Sequence, residues 1–416
     1  MSANTSKAAL GAAILIGCGG AHPARAVPFI SPFATAGIER DSNVFMRPTN
    51  TPLFVANGIT TLADTIESYE GGLDSEFDWG RDTLTLDGDA LQENYDRFSF
   101  LDHYEYRLAG DLDWHLGPVV ETELVYNQSR FMAPFTETLA LGLFVDTQRV
   151  ASAMVRVLVT PKWRVDLTPG LDQIDTPLPG FPDFRRSERT GTAGLDYLGF
   201  GRLTAGLQLE YIQGHYSGIV RATRYTQRDA DVTASYQLSG LSELDASVGY
   251  TRRGTEANPT DSLPATPANS GYFGGFAGAV GTVSGVNGTL DYKRQITGKT
   301  SGTLSLYRHV QSYTGSPNPE ISTGGAIGAE WVADAKITVD LDYSLAQNEI
   351  QGGLVAANFV NRTDRVQHAA FDVRYLAISW LTIRPYVNWE HSSSSFTLGN
   401  YSATIVGIDV TGRLRW

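Results

Sequence analysis

The stretch Tyr401-Ser-Ala-Thr-Ile-Val-Gly-Ile-Asp-Val-Thr-Gly-Arg-Leu-Arg-Trp416 decides the fold. Thr404, Val406, Ile408, Val410, Leu414 and Trp416 alternate with Asp409, Thr411, Arg413 and Arg415. A period of two is that of a β-strand with one apolar and one wet face. Alone, such a strand suits the edge of a soluble sandwich as well as a membrane barrel. Its aromatic last residue suits the barrel, in which interfacial rings flank an apolar band and the final strand closes the wall, but this strand by itself favours the sandwich and the rest of the chain decides.

Composition extends that reading. Gly (43), Tyr (19), Phe (18) and Trp (7) are plentiful, and no compositional break divides the 416 residues. One long β-protein with many turns fits this profile. The formal net charge of -13 argues against a nucleic-acid partner, which needs a basic surface. No apolar run downstream of the N-terminus has the length of a spanning helix, so any membrane crossing must use strands. At the N-terminus, Lys7, the apolar stretch Ala8 to Gly17 and the small-residue site Ala24-Arg25-Ala26 resemble a secretory signal peptide over residues 1–26, leaving 27–416 as the barrel. Leu15-Ile16-Gly17-Cys18 also fits a lipobox, so cleavage after Ala26 competes with lipidation at Cys18. Cleavage after Ala26 leaves no cysteine for disulfide or thiolate chemistry.

From residue 28 onward, alternating segments are joined by two kinds of connection. Short turns fall at 80–82, 117–118, 161–162, 200–202, 240–242, 297–299, 333–335 and near Ser379. Long polar or Gly/Pro-rich loops fall at 40–63, 96–103, 131–146, 173–185, 215–222, 254–281, 313–320, 347–364 and 392–400. Short and long alternate strictly, which predicts an antiparallel up-and-down barrel of eighteen strands with periplasmic turns and extracellular loops. On single strands the charge keeps to one face. Leu381, Ile383, Pro385, Val387 and Trp389 oppose Thr382, Arg384, Tyr386, Asn388 and Glu390. Arg or Lys facing lipid near the midplane costs roughly 2–4 kcal/mol, so the apolar faces point outward and the charged faces line a hydrated lumen. Trp79, Trp114, Trp163, Trp331, Trp380 and Trp416 all lie near a short turn or the C-terminus, as a periplasmic aromatic girdle requires.

No constellation for catalysis emerges, and the histidines lack metal-ligand spacing, so neither an enzyme, a metal nor a cofactor is expected. The lumen carries more signal. Asp74, Glu76, Asp78, Asp87, Asp89, Asp111, Asp113, Glu121 and Glu123 form an expected acidic arc on strands two to five. Arg156 and Arg164 on one flank, with Arg374, Arg384, Arg413 and Arg415 on the other, form an expected basic lining. Opposed arcs would set up a transverse field that orders water and filters solutes; cross-wall pairing would merely keep the lumen wet. Segment 131–146 is too apolar for a loop in water, and folding into the mouth or contact with lipopolysaccharide would bury it.

Two stretches resemble a known family. Ile38-Glu39-Arg40-Asp41-Ser42-Asn43-Val44-Phe45 resembles the aromatic-x-D-x-N-hydrophobic-phenylalanine element of EpsL-like outer-membrane proteins of the type 2 β-barrel porin group. Tyr95-Asp96-Arg97-Phe98-Ser99-Phe100-Leu101-Asp102 resembles that family's tyrosine-x-x-phenylalanine-x-x-leucine-aspartate element, while Glu39-Arg40 departs from the pattern. The resemblance implies a bacterial outer-membrane conduit exporting a secreted exopolysaccharide, with periplasmic and inner-membrane components supplying polymer. Insertion by the barrel-assembly machinery among lipopolysaccharide and other outer-membrane lipid goes with that location. A diffusion porin for small polar solutes and a loop-closed structural or adhesive barrel are the alternatives. The family supplies no catalytic residues, and Asp41, Asn43, Tyr95, Phe98, Leu101 and Asp102 stand as motif positions suited to loop turns.

Overall fold

A computed structural model describes residues 27–51, 58–136, 142–177, 183–217, 223–257, 281–313, 316–351 and 361–414. The signal segment, the Cys18 alternative, most of loop 254–281, Arg415 and Trp416 lie outside these residues. The strands are β1 (Val27–Asp41), β2 (Asp64–Trp79), β3 (Asp82–Tyr95), β4 (His103–Leu116), β5 (Val120–Met132) and β6 (Val145–Thr160). They continue as β7 (Trp163–Thr176), β8 (Phe184–Tyr197), β9 (Leu203–Ser217), β10 (Thr223–Ser239), β11 (Ser242–Ala257) and β12 (Gly281–Thr297). The last are β13 (Thr300–Tyr313), β14 (Ser316–Val332), β15 (Ile337–Gln351), β16 (Asn361–Ile378), β17 (Leu381–Ser394) and β18 (Tyr401–Arg413).

These form one 18-stranded antiparallel sheet in which each strand pairs with its sequence neighbours, and β1 pairs with β18 to close the barrel. Closure runs from Phe33↔Arg413 to Asp41↔Ile405, so the stretch that decided the fold completes the wall. Short turns use glycine where the chain must reverse with positive φ, at Gly80 (76°) and Gly117 (71°). The ladder skips where proline supplies no N–H: pairing lapses between Ser152↔Gly170 and Val155↔Leu167 beside Pro169, and between Asp372↔Tyr386 and Tyr375↔Ile383 beside Pro385. One connection differs from expectation. Of the expected 313–320 loop, Tyr313 belongs to β13 and Ser316 to Glu320 belong to β14, which pair up to Tyr313↔Ser316, while 314–315 lie outside the described residues. β12 and β13, in contrast, pair only from Gly288↔Arg308 down to their turn, leaving the outer end of each bonded on one side.

Alternation along the strands sorts the faces. Leu207, Leu209 and Tyr211 of β9 and Leu341, Tyr343 and Leu345 of β15 stand exposed on the outer surface, as do their counterparts round the barrel. A continuous exposed apolar belt would aggregate in water, and only hydrocarbon matches it. The sheet closes on itself, so apart from the proline skips and the outer ends of β12 and β13 the backbone is satisfied within the wall. The chain is a bacterial outer-membrane barrel. Trp114, Trp163, Trp331 and Trp380 are exposed at the turn end of this belt, where an aromatic girdle belongs.

Placement on the outer face makes a direct prediction. Val248 of β11 is 58% exposed on the lipid side, whereas its neighbour Ser247 faces the lumen beside Thr289. Val248→Arg lowers folding stability in vesicles by about 2–4 kcal/mol. Ser247→Arg costs clearly less; equal denaturant midpoints for the two variants would contradict the face assignment.

Candidate functional site: the lumen and its external mouth

Among the described residues, loops from one sector of the wall pack together at the external mouth. A buried apolar cluster joins Val44, Phe45 and Leu62 of the β1–β2 loop, Phe98 and Leu101 of the β3–β4 loop and Phe135 of the β5–β6 loop to Ile66 and Tyr95 at the strand tops. Phe45 is fully buried, with ring centroids 4.8 Å from Phe98 and 5.0 Å from Phe135. Ile66 and Tyr95 are paired inward positions, so the cluster sits on the lumen side. Within segment 131–146, Phe135 belongs to this cluster and Met132 and Leu143 pack against it, while Phe144 is also buried; residues 137–141 fall outside the described chain.

Polar groups fix this roof. Asp41 accepts the Asn43 N–H at 2.7 Å, and the Asn43 amide donates to the Arg47 and Ser402 carbonyls at 2.9 and 3.2 Å. Between them Met46 takes a φ of 49°, a left-handed conformation that needs such support. Buried Arg47 donates to the Leu398 carbonyl of the β17–β18 loop at 3.1 Å and to the Phe135 carbonyl of the β5–β6 loop. One guanidinium thereby ties loops from β17 round to β6. Asp64 accepts the Phe98 N–H at 2.9 Å, and Asp102 accepts the Tyr95 N–H at 2.8 Å. The structure thus brings the motif positions Asp41, Asn43, Tyr95, Phe98, Leu101 and Asp102 together as loop framework. Sequence reading missed Arg47 and Asp64, for which only their closeness to the motifs was a signal. Asn43→Ala strips the donor from two carbonyls at about 1–3 kcal/mol. Faster amide exchange at Val44 and Met46 is the expected readout, and unchanged protection there would count against the bracing role.

Below the mouth, strand parity puts Asp74, Glu76, Asp87, Asp89, Asp111, Asp113, Glu121 and Glu123 on the lumen face, as shown by the directly opposed pairs Asp74↔Asp87 and Asp113↔Glu123. Arg156, Arg164, Arg374, Arg384 and Arg413 share that face, and each is held by carboxylates. Arg156 lies 3.6 Å from Glu123, Arg164 2.5 Å from Asp196, Arg374 2.7 Å from Asp340, Arg384 3.3 Å from Asp372, and Arg413 pairs with Asp74. Of the two arrangements the sequence left open, these distances match pairing of the charges along the wall. Each of these arginines has a carboxylate beside it, and acids continue round the remaining wall, as in the opposed lumen pairs Glu210↔Asp229 and Asp245↔Asp291. A transverse field between opposed arcs does not arise from this distribution. Asp87, Asp111 and Asp113 have no described cation within ion-pair distance. The parity rule that found the first arc was sufficient to find the rest, and also Arg107, which sits 3.0 Å from Asp89.

No family model and no curated protein matches the chain. Among solved structures, the outer-membrane protein OpdK of Pseudomonas aeruginosa is similar at 12% identity, with 93% of this chain and 99% of that one covered and a TM-score of 0.47. OpdL of the same organism gives 11%, 94%, 99% and 0.43. The FrpB iron transporter of Neisseria meningitidis gives 10%, 87%, 62% and 0.48.

Proposed function

We propose that this barrel is a diffusion pathway for small polar solutes that favours cations. The observation that carries this reading is the excess of lumen carboxylates over lumen arginines, with those arginines tied up in ion pairs. Carboxylates such as Asp87, Asp111 and Asp113 have no described cation beside them, and a low-dielectric wall focuses the potential of an acidic lining along the path. The braced roof stands on the lumen side of the wall at the external mouth, where it would narrow the opening. A narrowed, polar opening suits small hydrated solutes better than an extended polymer.

Export of an exopolysaccharide, which the motif resemblance implies, gains no support from this geometry. The motif residues it rests on are occupied in bracing loops. Liposome swelling in neutral sugars of increasing size tests the proposal: monosaccharides enter and oligosaccharides are excluded. Absence of any permeation would favour a loop-closed barrel, and equal entry of long oligosaccharides would favour polymer passage.

A further inference from the structure

On the outer wall, away from the lumen, β7 to β11 form an open, shallow groove of about 780 Å³. Its floor is low at Gly191 and Ala193, and its walls are Leu167, Leu209 and Tyr250. A Cβ added at Gly191 would meet nothing within 4 Å. Leu167 and Leu209 are both exposed on the lipid face, so the groove opens to the bilayer.

At its extracellular end stand Arg228 and Arg252. They are directly opposed across β10 and β11, and Tyr211 flanks Arg228 on the other side. Both arginines are exposed. Like charges directly opposed on one sheet face destabilise the pair. No described carboxylate lies within ion-pair distance to offset this. Glu210 and Asp229, adjacent in sequence to Tyr211 and Arg228, alternate to the lumen face. Glu256 shares the outer face but is four residues farther along β11, opposite Arg224. An apolar channel capped by two uncompensated guanidinium groups, at the level where the belt ends, has the chemistry of a site for an anionic amphiphile.

We infer that the groove seats an acyl chain of lipopolysaccharide, with its lipid A phosphate held between Arg228 and Arg252. Guanidinium groups bind phosphate through paired, charge-assisted hydrogen bonds. A symmetric contact with a second copy would bring the same arginines of both chains together and worsen the repulsion. The inference is independent of what crosses the lumen.

The test uses the full chain purified from outer membranes in mild detergent, with bound lipid A read by native mass spectrometry. Folding is verified by the heat-dependent gel shift of intact barrels. The wild-type barrel retains lipid A, and R228Q/R252Q loses retention by about tenfold or more, since each surface arginine contributes about 1 kcal/mol toward an anionic lipid. R228K/R252K restores most of it. Gly191→Trp fills the groove without touching the arginines and also weakens retention. Equal retention by R228Q/R252Q, or by Gly191→Trp if the double variant does not fold, overturns the inference. Phosphatidylglycerol displacing lipid A at equal concentration would overturn the assignment to lipid A. Efficient disulfide dimers of Gly191→Cys in native membranes would assign the groove to a second copy instead.

Discussion

Phe45→Ala enlarges the external mouth and raises single-channel conductance in planar bilayers. Phe45 is fully buried where three loops meet, and it touches the rings of both Phe98 and Phe135. Truncating a buried Phe costs about 3–5 kcal/mol through lost burial and the cavity left behind. What remains of the roof's hold is the outer part of that apolar cluster, a few hydrogen bonds and the Arg47 bridge to the Phe135 and Leu398 carbonyls. The strands are cross-linked by a closed ladder, so the loss falls on the loops while the barrel persists. Larger, noisier conductance with an intact heat-dependent gel shift is the expected result. Phe45→Leu keeps most of the burial and shows a smaller change. Wild-type conductance in Phe45→Ala would mean that the roof does not limit the path.

Replacing Asp111 and Asp113 together with Asn lowers cation preference, by about twofold in the permeability ratio. These carboxylates lie on the lumen side of β4, where Asp113 opposes Glu123, and no described cation pairs with either. Removing them subtracts charge that nothing nearby offsets. Arg156→Gln acts in the opposite sense. Its guanidinium sits 3.8 Å from Glu121 and 3.6 Å from Glu123, so its loss releases two carboxylates to the path and strengthens cation preference. Identical reversal potentials for these variants and the wild type would show that the side chains do not line the conducting route.

The strand faces were legible in the sequence because a membrane barrel enforces period two everywhere: lipid rejects charge on one face and a wet lumen accepts it on the other. Val406, Ile408 and Val410 outside and Asp409 and Arg413 inside follow from that rule alone. Connection length was nearly as informative. The 313–320 segment departs because its polar residues resemble a loop in composition, while strand pairing continues through Ser312↔Pro319. Ion pairing was not legible in the same way. Arg374 meets Glu330 and Asp340 from two different strands, and Arg384 meets Asp372 and Asp409 likewise. Such meetings depend on register between segments, which periodicity does not specify. The groove under Arg228 and Arg252 was hidden for the same reason, since only the β10–β11 register sets the two arginines side by side.

Reversal potential across a planar bilayer with a potassium chloride gradient, measured on the wild-type barrel, tests the central claim most directly. An acid-lined lumen with its arginines paired predicts a potential displaced toward the potassium equilibrium value, diminishing as salt is raised and the carboxylates are screened. A potential displaced toward the chloride value would contradict it.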